Sequence, residues 1–164
     1  MNRIKTAFII TSIYLVLIIT RCGIYSFSGS TIPSHIKTIN VPLFEDKTAE
    51  FGIDQQLTDA VIDGITKDNT LKISGPRGGD SVLKGIIVNV REQAGQYDQQ
   101  ERASDYRIFI TVRVTFEDVK KRKTLWEEEF SEWGRYEGVN RDDGIKEAVE
   151  KLKEVIINRL VSGW

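Results

Sequence analysis

The chain has 164 residues, 40% hydrophobic and 29% charged, and its 23 Lys and Arg against 24 Asp and Glu leave a formal net charge of −1. That length fits one domain of ordinary size with a short appendage, and the even charge balance lacks the basic excess of a nucleic-acid binder. A single cysteine, Cys22, and a single histidine, His35, exclude an intrachain disulfide framework, a zinc-ribbon cluster and a dithiol redox pair. Any Ser/His/acid triad is restricted to His35, which has no acid or cysteine beside it in sequence. No cofactor or metal site is expected.

The first residues differ sharply from the rest. Arg3 and Lys5 stand in an acid-free start, and Ala7–Thr20 (AFIITSIYLVLIIT) is apolar except for Thr11, Ser12 and Thr20. A basic start before an apolar stretch of about 7–15 residues is the pattern of an export signal. The run ends at Arg21, short of the roughly 20 residues a membrane-spanning helix needs. Cys22 follows directly, in Ile19-Thr20-Arg21-Cys22-Gly23. This is similar to a bacterial lipobox, whose cysteine becomes the first mature residue and carries a thioether-linked lipid. Arg21 departs from it, since a small residue normally precedes the cleaved bond. The reading is a signal peptide over 1–21, a lipidated Cys22 and flexible Gly- and Ser-rich tether over 22–34, and one domain over 35–164. Loss of Arg3, Lys5 and Arg21 would take the net charge from −1 to −4.

Within the domain, Ile36–Phe44 (IKTINVPLF) reads as a strand, placed at an edge by Pro42, which cannot donate to a ladder. Asp54 is a candidate N-cap for a helix to about Asp68, with Ile53, Leu57, Val61 and Ile65 at helical spacing and Asn69 as its left-handed stop. Leu71–Ile73 is a strand stub, and Gly75–Gly79 a loop. In Ser81–Val90 the apolar parity is read as Val82, Ile86, Val88 and Val90. Arg91–Tyr106 is a long polar connection. Arg107–Val119 alternates, with Ile108, Ile110, Val112, Val114 and Phe116 against Thr111, Arg113, Thr115 and Glu117, the pattern of a half-buried antiparallel strand. Lys120–Lys123 is a basic hairpin turn, and Thr124–Trp133 is the partner strand. Asp142 or Asp143 caps a closing helix to about Val161, whose apolar stripe includes Ile145, Ala148, Val149, Leu152, Ile156 and Leu160. The order strand, helix, three strands, helix predicts an α+β fold. It is a two-layer α/β sandwich with two helices on one face of a small, mainly antiparallel sheet.

An ordered set of short motifs runs through this frame. Cys22-Gly23-Ile24-Tyr25-Ser26-Phe27-Ser28-Gly29 precedes Ile36-Lys37-Thr38-Ile39 and Val41-Pro42-Leu43-Phe44-Glu45-Asp46-Lys47-Thr48. Leu57-Thr58-Asp59-Ala60, Ser81-Val82-Leu83-Lys84-Gly85, Tyr106 opening the alternating strand, and Thr124-Leu125-Trp126 follow. Taken together, and across essentially the whole mature chain, they resemble the LptE family of outer-membrane lipopolysaccharide-assembly lipoproteins. The resemblance implies a non-enzymatic protein, lipid-anchored on the periplasmic side of the outer membrane. It would plug and help assemble an LptD-type β-barrel, bind lipopolysaccharide and aid its delivery to the outer leaflet. The other class with a similar opening strand is a periplasm-facing regulator, of the peptidoglycan-synthase-activator or curli-secretion type.

Two surfaces are candidates for those contacts. Lys120, Lys121, Arg122 and Lys123 are four cations on one turn, and Arg113 and Arg107 lie on or next to the strand leading to it. They suit the phosphates and carboxylates of lipopolysaccharide, or else they form a solvated tip whose lysines discourage edge pairing. The polar connection carries Gln96, Tyr97, Gln99, Gln100, Arg102 and Tyr106. Contact with a polar barrel lumen, disorder, and an extended hairpin are the readings open for it. Gly75-Pro76-Arg77-Gly78-Gly79 lacks the Gly-Lys-Ser/Thr ending of a phosphate loop and reads as a turn. Glu127-Glu128-Glu129 reads as strand-edge charge, and Trp126, Phe130 and Trp133 as core aromatics rather than sugar-stacking platforms.

Overall fold

A computed structural model describes residues 32–76, 78–95 and 105–162. In chain order these form β1 (Thr38–Asn40), β2 (Glu45–Asp46), α1 (Ile53–Asp68), β3 (Lys72–Ile73), β4 (Ser81–Ala94), β5 (Tyr106–Asp118), β6 (Lys123–Tyr136) and α2 (Arg141–Ser162). The six strands make one open sheet in the order β3-β1-β4-β5-β6, with β2 pairing β4 off this path. The long strands β4, β5 and β6 are antiparallel, and the short β1, β2 and β3 join in parallel. The fold is the predicted α+β sandwich. Its sheet is mainly antiparallel, with the three short strands adding parallel pairs that make it mixed.

The alternation in β5 sets the core. Ile108, Ile110, Val112, Val114 and Phe116 are all buried. Leu57, Val61 and Ile65 from α1 and Ile145, Ala148, Leu152 and Ile156 from α2 join the same core. The two helices also pack on each other, with Gly64 of α1 opposite Ile157 and Lys153 of α2. Both begin slightly away from their expected caps. α1 starts after Gly52, held in the left-handed region at φ 78, so Asp54 sits in the first turn and not at the cap. α2 starts at Arg141, placing Asp142 and Asp143 in a first turn where the helix dipole favours acids. Asn69 closes α1 as predicted, at φ 60.

Two expectations about strands give way. The Ile36–Phe44 segment divides into β1 and β2, because the chain cannot continue a ladder through Pro42. It arches away from β4 and rejoins it, and Phe44 drops into the core, 1% exposed. The Phe44 N–H donates to the Thr58 hydroxyl at 3.0 Å, and that hydroxyl donates to the Asp54 carbonyl at 2.7 Å. In β4 the buried parity is Ser81, Leu83, Gly85 and Ile87, opposite to the one read from sequence. A register shift between Ile87 and Asn89 lets Val88 bulge out and returns Val90 to the core side, across from Ile110. Apolar residues stand at both parities in Ile86-Ile87-Val88, so pairing with β5, not periodicity, decides the face.

One end of the sheet gathers the chain entry and the β5–β6 turn. Asp80 Oδ2 accepts the backbone N–H of Lys37 at 2.8 Å and of Thr38 at 3.1 Å and the Thr38 hydroxyl at 3.0 Å, while Oδ1 pairs with Lys120 at 2.6 Å. Buried Asp118 accepts the Lys121 N–H at 2.9 Å and meets His35 Nε2 at 2.6 Å. Lys120, followed by the Lys37 and Thr38 donors, holds the Asp80 carboxyl well below the usual carboxylate range. A depressed native pKa stabilises the fold fully above the unfolded value of about 3.9 and is lost as pH falls below it. The urea midpoint is therefore expected to drop more steeply below about pH 4 in the native protein than in Asp80→Asn. Parallel midpoint curves for the two proteins would show that Asp80 carries none of this stability.

Candidate functional site

The sheet face turned away from the helices divides into two chemically different halves. Near the β4–β5 hairpin, the cross-strand register places Arg91, Phe109 and Trp133 in one row over β4, β5 and β6. Arg91 Cζ lies 4.2 Å from the Phe109 ring centre, and Arg107 Cζ lies 4.6 Å from that of Trp133. The two rings are 6.5 Å apart and tilted by 40°. Lys151 of α2 reaches round the sheet edge, its Nζ 4.2 Å from the Trp133 ring and 2.8 Å from the Trp133 carbonyl. Guanidinium over an aromatic face is a cation–π arrangement. Among the described residues, the buried Arg107 Nε has no hydrogen-bond acceptor.

Towards the β5–β6 turn the same face is self-satisfied. Thr111 and Ser131 hydroxyls meet at 3.1 Å, Arg113 holds Glu129 with Nη2 at 2.5 Å, Thr115 donates to Glu127 at 3.2 Å, and Lys84 pairs with Glu117 at 2.8 Å. The expected strand-edge acids are thus internal partners, including Glu128, which pairs with Arg159 of α2 at 2.7 Å.

The residues singled out from sequence are spread over the molecule. Lys120, Lys121, Arg122 and Lys123 are exposed on and beside the turn, with Arg122 at φ 51. Arg113 does not join them. It lies seven residues up β5, about 23 Å away at the rise of an antiparallel strand, and already faces Glu129. The polar connection is shorter than expected, because β4 runs to Ala94 and β5 starts at Tyr106. Gln96, Tyr97, Gln99, Gln100 and Arg102 fall outside the described residues. Tyr106 points to the helix side, stacked on Tyr136 at 5.2 Å. Burial, aided by the neighbouring Glu92, pushes the Tyr136 phenol up to about 12. The Gly75–Gly79 segment makes a turn closed from Gly78 N–H to the Gly75 carbonyl at 3.0 Å. Trp126 and Phe130 pack edge-to-face on the helix side, as core aromatics should, whereas Trp133 belongs to the open face. Phe109 was legible as an aromatic on the solvent parity of an otherwise polar stripe, and so was the signal for this platform.

At the opposite end from the turn, Arg141 grips both Glu50 oxygens, at 2.5 and 2.7 Å, and Glu92 at 3.1 Å. This latch brings together the loops that carry Phe51 and Val139, both almost wholly exposed. Among the described residues no helix is long and apolar enough to cross a membrane, and no group of His, Cys, Asp and Glu is placed to hold a metal ion.

The family model for LptE, described as lipopolysaccharide-assembly, matches residues 36–161. The chain belongs to the LptE family. The match takes in every strand and both helices, all but the final residue of α2, and the family is one of non-enzymatic lipoproteins. Several solved structures share the LptE-like fold. A candidate lipoprotein from Caulobacter crescentus superposes with a TM-score of 0.50 at 15% identity, over 71% of this chain and 86% of that one. PelC from Paraburkholderia phytofirmans, solved as a dodecamer, gives 0.54 at 13% identity over 78% and 91%. A hypothetical protein from Chlamydia trachomatis gives 0.57 at 9% identity over 76% and 95%. At such identities the likeness is one of fold. No curated protein sequence matches the chain.

Proposed function

We propose that this LptE-family protein is a non-enzymatic outer-membrane lipoprotein, anchored through Cys22 on the periplasmic side. It plugs and helps assemble an LptD-type β-barrel, binds lipopolysaccharide and aids its delivery to the outer leaflet. The observation that carries the reading is the family match over the whole described domain. The surface adds a chemical rationale. Lipopolysaccharide offers phosphates, carboxylates and sugar rings, and the Arg91–Phe109–Trp133–Arg107 platform offers two guanidinium forks on two aromatic faces. Arginine takes phosphate bidentately, and a phosphate above the Phe109 and Trp133 rings would meet both guanidinium groups. Arg113 would add to this only by exchanging Glu129 for the ligand. The end carrying the exposed apolar side chains of Phe51 and Val139 is the side we assign to the barrel.

Two measurements test this. Arg91→Ala with Arg107→Ala is expected to weaken lipopolysaccharide binding by about 100-fold, since each charge-assisted bond is worth roughly 1.5 kcal/mol or more. Unaltered affinity in a folded double variant rejects the platform. A C-terminally tagged protein pulled from outer-membrane extract should bring down a large β-barrel, and its intact mass should show an acylated Cys22. Recovery of a cell-wall synthase, or of a ring of its own copies, in place of a barrel would favour the regulatory or secretion-type reading.

A further inference from the structure

We propose that the β5–β6 turn is an electrostatic foot, resting on the anionic phospholipid surface to which the protein's own N-terminal segment is directed. The inference rests on reading residues 1–22 as membrane-directed, and is independent of how lipopolysaccharide is bound.

The first support is placement. Parallel entry into β1 and the antiparallel β5–β6 turn put the start of the domain and the turn at one end of a sheet whose long strands span about 40 Å. They are also bolted together. His35 meets Asp118, Asp80 holds the Lys37 and Thr38 amides on one oxygen and Lys120 on the other, and the Val119 N–H donates to the Asp80 carbonyl at 3.0 Å. Cys22 precedes Ile32 by ten residues, which bounds their separation at roughly 35 Å of extended chain. The N-terminal segment therefore enters the domain at the same end as the turn.

Charge is the second support. The acids at this end that face the turn, Asp80 and Asp118, have side chains only 15% and 1% exposed and are committed to the bolts. Among the described residues, the side chains of Lys121, Arg122 and Lys123 make no ion pair, and Lys37 and Lys72 stand exposed beside the same end. Glu117 is taken by Lys84. At the opposite end Arg141 and Arg135 are neutralised by Glu50, Glu92, Asp105 and Glu137, while Arg91 and Arg107 lie against the Phe109 and Trp133 rings on the open sheet face. A mature chain of net negative charge therefore shows uncompensated cations where its tether emerges. Val119, 49% exposed, adds an apolar contact beside Arg122 and Lys123 on a groove of about 440 Å³. Each cation near an anionic leaflet strengthens binding about fivefold, and a lipid chain that holds only marginally alone anchors stably with a polybasic patch.

The test uses the full chain carrying Val119→Cys and Cys22→Ala, with a fluorophore on the new thiol, inserted through its apolar N-terminal segment into vesicles containing a spin-labelled quencher lipid. Strong quenching is expected in phosphatidylcholine vesicles with about 30% phosphatidylglycerol, falling several-fold in pure phosphatidylcholine and at about 0.5 M salt. The further changes K121E, R122E and K123E should abolish it while leaving lipopolysaccharide affinity at Arg91 and Arg107 unchanged. The milder K121Q, R122Q and K123Q variant should lose most of it, and serves if the reversed turn perturbs folding. Equal quenching in neutral and anionic vesicles, or no response to either variant, overturns the foot. Stronger quenching by lipopolysaccharide than by phosphatidylglycerol at equal vesicle charge also overturns it, and returns the turn to the lipopolysaccharide reading.

Discussion

Gly134→Ala is expected to be the most damaging single-methyl change in the domain. Gly134 sits on β6 opposite Ile108, facing the helices, where α2 crosses the sheet. An added Cβ would fall deep inside contact with the Gly144 carbonyl oxygen and 2.8 Å from the Ala148 nitrogen. Both obstructions are backbone, so no side chain can rotate aside. The helix has little room to retreat. Its first residue is gripped by Glu50 and Glu92, Glu147 accepts the Arg135 N–H at 2.8 Å, and Ile145, Ala148 and Leu152 are locked in the core. Overpacking against fixed backbone belongs at the upper end of the usual range, about 3 kcal/mol, or roughly 10–15 °C in Tm for a domain of this size. Gly75→Ala is the control, with open space around it and no left-handed φ, and should change stability by less than about 0.5 kcal/mol. Thermal unfolding of both decides the matter. A Gly134→Ala protein melting within a few degrees of the parent would mean that α2 can shift along β6.

The second large effect joins Gly85 and Phe44. Gly85 lies on the core parity of β4, and a Cβ there would enter the Phe44 ring, meeting three of its carbons within 2.5 Å. The missing side chain is thus the space that the aromatic fills after the arch at Pro42. Phe44→Ala should cost about 3–5 kcal/mol, the usual penalty for deleting a buried aromatic. Gly85→Ala should cost about 2 kcal/mol by overpacking. The informative quantity is their coupling. With the ring already gone, the new methyl only fills vacated volume, so Gly85→Ala should be neutral or slightly stabilising in the Phe44→Ala background. Denaturant unfolding of the four proteins measures this. Additive penalties within about 0.5 kcal/mol would show that the two residues do not share one space.

Much of the architecture is written in the order of the amino acids alone. The clean alternation from Ile108 to Phe116 specified a half-buried strand and its buried face, because each β5 side chain follows the two-residue pleat without interruption. The stripe from Ile145 to Leu160 specified the closing helix and its packed side for the matching reason. The basic start, the apolar run and Cys22 carried the export reading, and the ordered motifs carried the family. None of these depends on knowing which element lies beside which.

What only the tertiary structure decided concerns relations between distant segments. Ile86, Ile87 and Val88 are all apolar, so the inward face of β4 was set by its register with β5 and by the bulge at Val88. The segment around Pro42 reads as one strand until β4 is seen to pair with it on both sides of an arch. Arg91, Phe109 and Trp133 lie on three strands and form a platform only through cross-strand register, just as His35 finds Asp118 across 83 positions of chain. Periodicity is a property of neighbours in sequence and records which way a side chain turns. The Arg91–Phe109–Trp133 row and the cationic end depend on which backbone each strand chose to hydrogen-bond, and that choice is made by burying the whole sheet at once.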